Sequence, residues 1–202
     1  MYKYKESISQ ADAFDFIRYN ATNTRILLEK KGFACTQDMR HEKIALLISE
    51  VSELLDAFKK DKSDEEEAEE VADIIIRLMN IPVMYLDVML YLTNDRNRTQ
   101  RKLGLKIDEF VESDGMGKVK YSMTYLMSKA INQLDNDLIK WERYSITLIL
   151  NDITDDMINL ILICKIYSEQ ILYKNLQESI DSKMSKNHKR PYRYNTSEDL
   201  FK

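Results

Sequence analysis

Two pairs of acids stand at spacings suited to shared chemistry: Glu50 with Glu53 and, after sixteen intervening positions, Glu70 with Asp73. A three-residue spacing on a helix brings both carboxylates of a pair to one side. Carboxylate oxygens are hard donors, and four of them facing one another match the number that Mg²⁺ or Mn²⁺ accepts while leaving positions for water and phosphate oxygens. The competing reading is an ordinary solvated acidic face.

The helices that must hold these residues are legible from periodicity. Residues 41–60 carry Ile44, Leu47, Ile48, Val51, Leu54, Leu55 and Phe58 at helical spacing, which predicts an amphipathic helix. With that stripe centred on Val51, Glu50 falls about 100° and Glu53 about 160° to one side, beside Leu46 and Ala57. Such neighbours suit a cavity wall better than open surface. Ser63 followed by Glu66 fits a capping box that opens a third helix, expected to run to Ile81 before Pro82. On it Glu66, Glu70, Asp73, Arg77 and Asn80 make one polar stripe, while Val71, Ala72, Ile74, Ile75, Ile76, Leu78, Met79 and Ile81 wrap the other sides. Burying carboxylates there costs several kcal/mol unless they are paired or bound to a cation. Arg77 can neutralise one of them.

With four Gly and two Pro in 202 residues and 44% apolar content, the chain is expected to be an all-α bundle of long helices with short joints. Other helices are predicted over 8–31, 83–93, 119–143, 145–168 and 169–187, with a connector over 94–118 and a polar tail at Pro191–Tyr194. Cys35 and Cys164 lack zinc or redox spacing and are expected to be reduced, buried thiols. No signal region or membrane span is apparent, so a cytoplasmic protein without membrane contact is expected. Two ExxH pairs, which a di-iron bundle requires, are absent.

The net charge is −4, unevenly spread: Asp64 to Asp73 holds seven acids in ten residues, and Lys183 to Arg193 holds five Lys or Arg and no acid. One short basic segment in an acidic chain argues against nucleic acid as partner. Lys183, Asn187 and Arg190, at i, i+4 and i+7, share a helix face and supply donors suited to phosphate.

The run Lys43 to Lys60 containing Glu50-Val51-Ser52-Glu53, followed by Glu70-Val71-Ala72-Asp73-Ile74-Ile75-Ile76-Arg77-Leu78, resembles the MazG-like branch of the all-α nucleoside triphosphate pyrophosphatases, which is related to the dimeric dUTPases. The segment Lys183-Met184-Ser185-Lys186-Asn187-His188-Lys189-Arg190-Pro191-Tyr192 is similar to that family's closing KxxxNxxRPY motif. The resemblance implies that Glu50, Glu53, Glu70 and Asp73 hold Mg²⁺, and that Lys183, Asn187 and Arg190 contact a nucleoside triphosphate. The expected reaction is water attack at the α-phosphate, releasing nucleoside monophosphate and pyrophosphate. Glu53 is the candidate general base and Glu50 the alternative. Arg77 is a further candidate contact to substrate. Phe14, Tyr19, Asn20, Asn23 and Phe33 are placed to offer stacking or hydrogen bonds to a base, with Asn20 and Phe33 foremost; core packing and capping are the competing roles. His41 and His188 are expected at surface or positioning places.

The chain departs from compact members of that family by placing roughly a hundred residues between the ExxD helix and the basic segment. This suggests a catalytic half over 1–105 and a degenerate second half over 106–202, packed as one unit. Leu126–Asn132 can be laid on Leu47–Glu53, and Asp156–Asn159 on Glu70–Asp73. A homodimer or higher homo-oligomer is expected. A catalytically inert nucleotide-binding or assembly protein is the alternative function.

Overall fold

The computed structural model describes residues 5–85, 88, 103–106 and 116–190. A short strand β1 (Lys5–Ile8) leads into α1 (Gln10–Lys31), α2 (Arg40–Lys59), α3 (Asp64–Leu78) and α4 (Asn80–Met84). Then come β2 (Leu103–Lys106), α5 (Met116–Tyr144), α6 (Thr147–Ile166) and α7 (Leu176–Lys189). The architecture is the expected helical bundle, with one addition. β1 and β2 pair antiparallel, Lys5 opposite Lys106 and Ile8 opposite Leu103. The predicted continuation over 83–93, most of the connector over 94–118 and the tail at Pro191–Tyr194 lie largely outside the described residues.

Helix ends follow local chemistry. Ile8 belongs to the strand, so α1 starts later than predicted, where the Ser9 hydroxyl accepts from the Asp12 amide at 3.1 Å. It stops at Gly32, whose φ of 67° lets its own amide and that of Phe33 close on the carbonyls of Glu29 and Leu28. Ser63 and Glu66 form the anticipated capping box, each side chain accepting from the other's backbone amide at 3.2 Å. α3 ends at Leu78 and not at Ile81. Pro82 explains the difference, because its ring opposes the carbonyl four residues earlier.

The closing helix begins at Leu176, later than the predicted 169. α6 widens into a π turn over Tyr167–Ile171, Ser168 and Lys174 exchange hydrogen bonds of 2.9 and 3.0 Å, and the Asn175 side chain caps α7 by accepting from Glu178 at 3.0 Å.

α2 and α3 form one helical hairpin, and α5 and α6 a second. α5 packs on α2, α6 on α3, and α7 returns to lie against α3 and α1. One apolar cluster runs through all of these helices, from Ala13 to Met184. Within α3, Val71, Ala72, Ile74, Ile75 and Leu78 are fully buried, and the larger of these stabilise the fold by about 1.5–3 kcal/mol each. That burial fixes the rotation of α3 and hence the direction of its carboxylates. On α2, Ile44, Leu47, Val51 and Leu54 are buried as predicted, but Ile48 is 41% exposed and lies off the stripe. Cys164 is fully buried and Cys35 only half-buried, both as free thiols. No helix of the described residues is long and apolar enough to cross a membrane.

Candidate metal centre

Packing α2 against α3 brings one carboxylate oxygen each from Glu50, Glu53 and Glu70 within 4.8 Å of one another. It is the one group of three or more potential ligands that close among the described residues. Glu50 is 5% exposed, Glu70 half-buried and Glu53 exposed, so the cluster opens toward solvent on the Glu53 side. Arg77, two turns along α3 from Glu70, donates from Nε to Glu50 Oε1 at 2.8 Å. It therefore orients that carboxylate, which leaves its predicted contact to substrate as a second demand on the same guanidinium.

Asp73 lies beside this trio but is engaged elsewhere. Lys183 of α7 reaches it, Nζ to Oδ2 at 2.6 Å, and lies 3.7 Å from Glu69 Oε2. Lys183 is 7% exposed. Lys186, one turn outward, pairs with Glu69. The basic segment thus meets the acidic helix of its own chain, across the whole intervening half.

The other predicted substrate residues are less uniform. Asn187 is half-buried, one turn beyond Lys183. Arg190 is exposed at the residue where the backbone leaves the helix, with ψ 131°, so the predicted i, i+7 face ends with the helix itself. The Arg190 carbonyl accepts from Lys31 of α1. Asn20 is buried, and its amide donates to Phe16 O at 3.0 Å and exchanges hydrogen bonds with Gln177 at 3.1 and 3.2 Å. That reciprocal pair locks α1 to α7 and consumes the groups predicted for a base. Phe33 is 45% exposed just after α1. Phe14 is core. Tyr19 and Asn23 line a groove of about 450 Å³ between α1 and α7, together with His188 and Lys189. His41 is exposed at the start of α2, with its ring beside Arg40.

Burial is the largest single influence on the electrostatics of Glu70, Asp73 and Lys183. Burial pushes Glu70 above the usual carboxylate range, the charges of Asp73 and Glu53 add to this, and Lys183 opposes it. Burial likewise raises Asp73, against the pull of its hydrogen bond from Lys183. Burial works against the charged form of Lys183, but Asp73, Glu70 and Glu69 together raise it.

A carboxyl raised on folding binds its proton more tightly in the native state, so the stability it contributes is lost as pH rises from its ordinary value through the raised one. A divalent cation bound by the ionised carboxylates reverses that loss. Mg²⁺ at a hundredfold excess over its Kd is expected to raise the melting temperature by about 5–10 °C at pH 8, and by clearly less at pH 5. Equal shifts at the two pH values would show that Mg²⁺ does not bind these groups.

Several residues that act here carry no obvious sequence signal of a site. Glu67 is 2% exposed, yet it is no ligand: both its oxygens accept from Lys120 Nζ at 2.8 Å and one also accepts from Tyr167 Oη at 2.7 Å. It does precede Val71, Ile74 and Leu78 at i+4, i+7 and i+11, which marks it as facing the core. Glu69 was similarly hidden within the acidic run. In the second hairpin, Asp137 is buried and accepts from Lys140 and Gln133. Its neighbour Asp156 is pushed up to about 8 by burial and by the hydrogen bond and negative charge of Asp137. The positions laid against Glu50, Glu53 and Asp73, namely Lys129, Asn132 and Asn159, supply no carboxylate.

No family model, no curated protein and no solved structure matches this chain.

Proposed function

We propose that the chain hydrolyses a nucleoside triphosphate to nucleoside monophosphate and pyrophosphate at the α2–α3 site, with Mg²⁺ (or Mn²⁺) as its metal. The observation that carries this reading is the meeting of a three-glutamate cluster, open on one side, with a buried lysine from the closing helix. Carboxylate oxygens alone, in a partly buried setting that raises Glu70, make a donor set suited to a hard divalent cation. Glu50, Glu53 and Glu70 would hold it. When bound, Mg²⁺ neutralises phosphate charge and acidifies water.

The chain's own residues have distinct tasks. Glu53, exposed at the mouth, accepts the proton of the attacking water. Glu50 is a poorer base, because it is buried and already accepts from Arg77. Lys186, Asn187 and Arg190 offer donors along α7 and its end, toward which a triphosphate would lie, and Lys183, buried against Asp73, adds positive charge behind them. The α1–α7 groove with Tyr19 and Asn23 is a better place for a base than Asn20, whose amide is committed.

Incubation with a panel of canonical and modified nucleoside triphosphates plus Mg²⁺ tests the reading. Pyrophosphate should be the primary inorganic product and should vanish with a chelator. A second reading, nucleotide binding without turnover, is favoured by one feature: Asp73 is occupied by Lys183. Triphosphate binding with no product from any member of the panel would establish it.

A further inference from the structure

We infer that Lys183 serves as a built-in second cation of the acidic site, so that the site takes a single divalent metal ion per chain. The inference rests on the metal reading above and concerns how many ions that site accepts.

Four carboxylates gather where α2 meets α3: Glu50, Glu53, Glu70 and Asp73. Two of them already face a fixed cation, Glu50 with Arg77 at 2.8 Å and Asp73 with Lys183 at 2.6 Å. Glu69, the next acid outward, is balanced by Lys186. Lys62 reaches toward Glu66 at 4.0 Å and acts on Glu70 only through space, more weakly than Lys183 does. Glu53 and Glu70 form no ion pair among the described residues. Their combined charge is what one divalent ion neutralises.

Geometry agrees with the charge. The three glutamates converge within 4.8 Å, as ligands of one ion must, and Asp73 is not part of that convergence. The place beside Asp73 that another ion would need is filled by the Lys183 ammonium. That lysine is 7% exposed, with its ammonium 2.6 Å from Asp73 and 3.7 Å from Glu69. A second divalent ion there would meet a buried positive charge with little water to screen it. Lysine suits this place because it is a compact point charge, whereas arginine would need a planar fork of acceptors. The device also delivers charge to the site from the far end of the chain, so metal stoichiometry depends on α7 being docked.

The test is Mn²⁺ binding to the full chain, measured by calorimetry and by the spin-resonance signal of free Mn²⁺. The wild type should bind one ion. Lys183→Met, which keeps the length of the stem and removes the charge, should bind two. Asp73→Asn should still bind one, weakened by about tenfold or less, whereas Glu70→Gln should lose about a hundredfold or more. Two ions in the wild type, one in Lys183→Met, or loss of binding in Asp73→Asn would each overturn the inference while leaving a metal site in place. No Mn²⁺ binding by the wild type would overturn the metal reading and this inference with it. If Lys183→Met does not fold, the wild-type stoichiometry and the Asp73→Asn affinity still decide the matter.

Discussion

Glu53→Gln is expected to lower the rate of pyrophosphate release by about 10²–10⁴ while leaving the fold intact. The amide keeps the shape of the side chain and loses both its charge and its ability to take a proton. Glu53 is exposed on α2, so the change in stability should lie within about 0.5 kcal/mol. Single-turnover measurement at saturating Mg²⁺, beside a thermal melt, separates a chemical defect from weakened metal binding or unfolding. Glu50→Gln should behave differently, since Glu50 is 5% exposed and holds Arg77. It should lose stability as well as rate. Turnover by Glu53→Gln within about threefold of wild type would remove this residue from the chemistry.

The largest effect on stability is expected at a place that takes no part in the reaction. Lys120→Met leaves Glu67, 2% exposed, without the ammonium that both its oxygens accept from. Removing one partner of a buried pair costs about 3–5 kcal/mol, a large share of the about 5–15 kcal/mol by which a domain of this kind is stable. Tyr167 contributes one hydrogen bond to the same carboxylate and cannot replace a charge. The double variant Lys120→Met/Glu67→Met removes both charges and should recover most of the loss, because apolar side chains of similar volume satisfy such a site as well as an ion pair does. Denaturant melts of the single and double variants check this. A single variant as stable as wild type would mean that Glu67 is not anchored by Lys120. The pair matters to the site because it pins the first turns of α3 to α5, upstream of Glu70 and Asp73.

What could be read in the sequence was local. The apolar stripe of α2, the Ser63 capping box and the break imposed by Pro82 each depend on residues within a few positions of one another, and the structure has all three. The convergence of Glu50, Glu53 and Glu70 was legible for the same reason, since two short spacings and two helix faces determine it. What could not be read depends on partners distant in the chain. Asn20 looked available for a ligand because its exchange of hydrogen bonds with Gln177, on the closing helix, cannot be read from residues near it in sequence. The pairing of Asp73 with Lys183 was hidden because Lys183 belongs to another helix. The β1–β2 ribbon joins two four-residue segments whose pairing is wholly long-range. The late start of α7 reflects the π turn at Tyr167–Ile171, where packing overrides a continuous helical pattern. Glu67 is the instructive miss. Its spacing to Val71, Ile74 and Leu78 puts it on the core face, but its partners Lys120 and Tyr167 lie 53 and 100 positions away along the chain.

The central claim is cleavage between the α- and β-phosphates at this acidic site. Turnover of an accepted nucleoside triphosphate in ¹⁸O-labelled water with Mg²⁺, followed by mass analysis of both products, tests it directly. The account predicts label in the nucleoside monophosphate, none in the pyrophosphate, and turnover by Glu53→Gln slowed by about 10²–10⁴. Release of orthophosphate as the primary product, or label appearing in pyrophosphate, would contradict it.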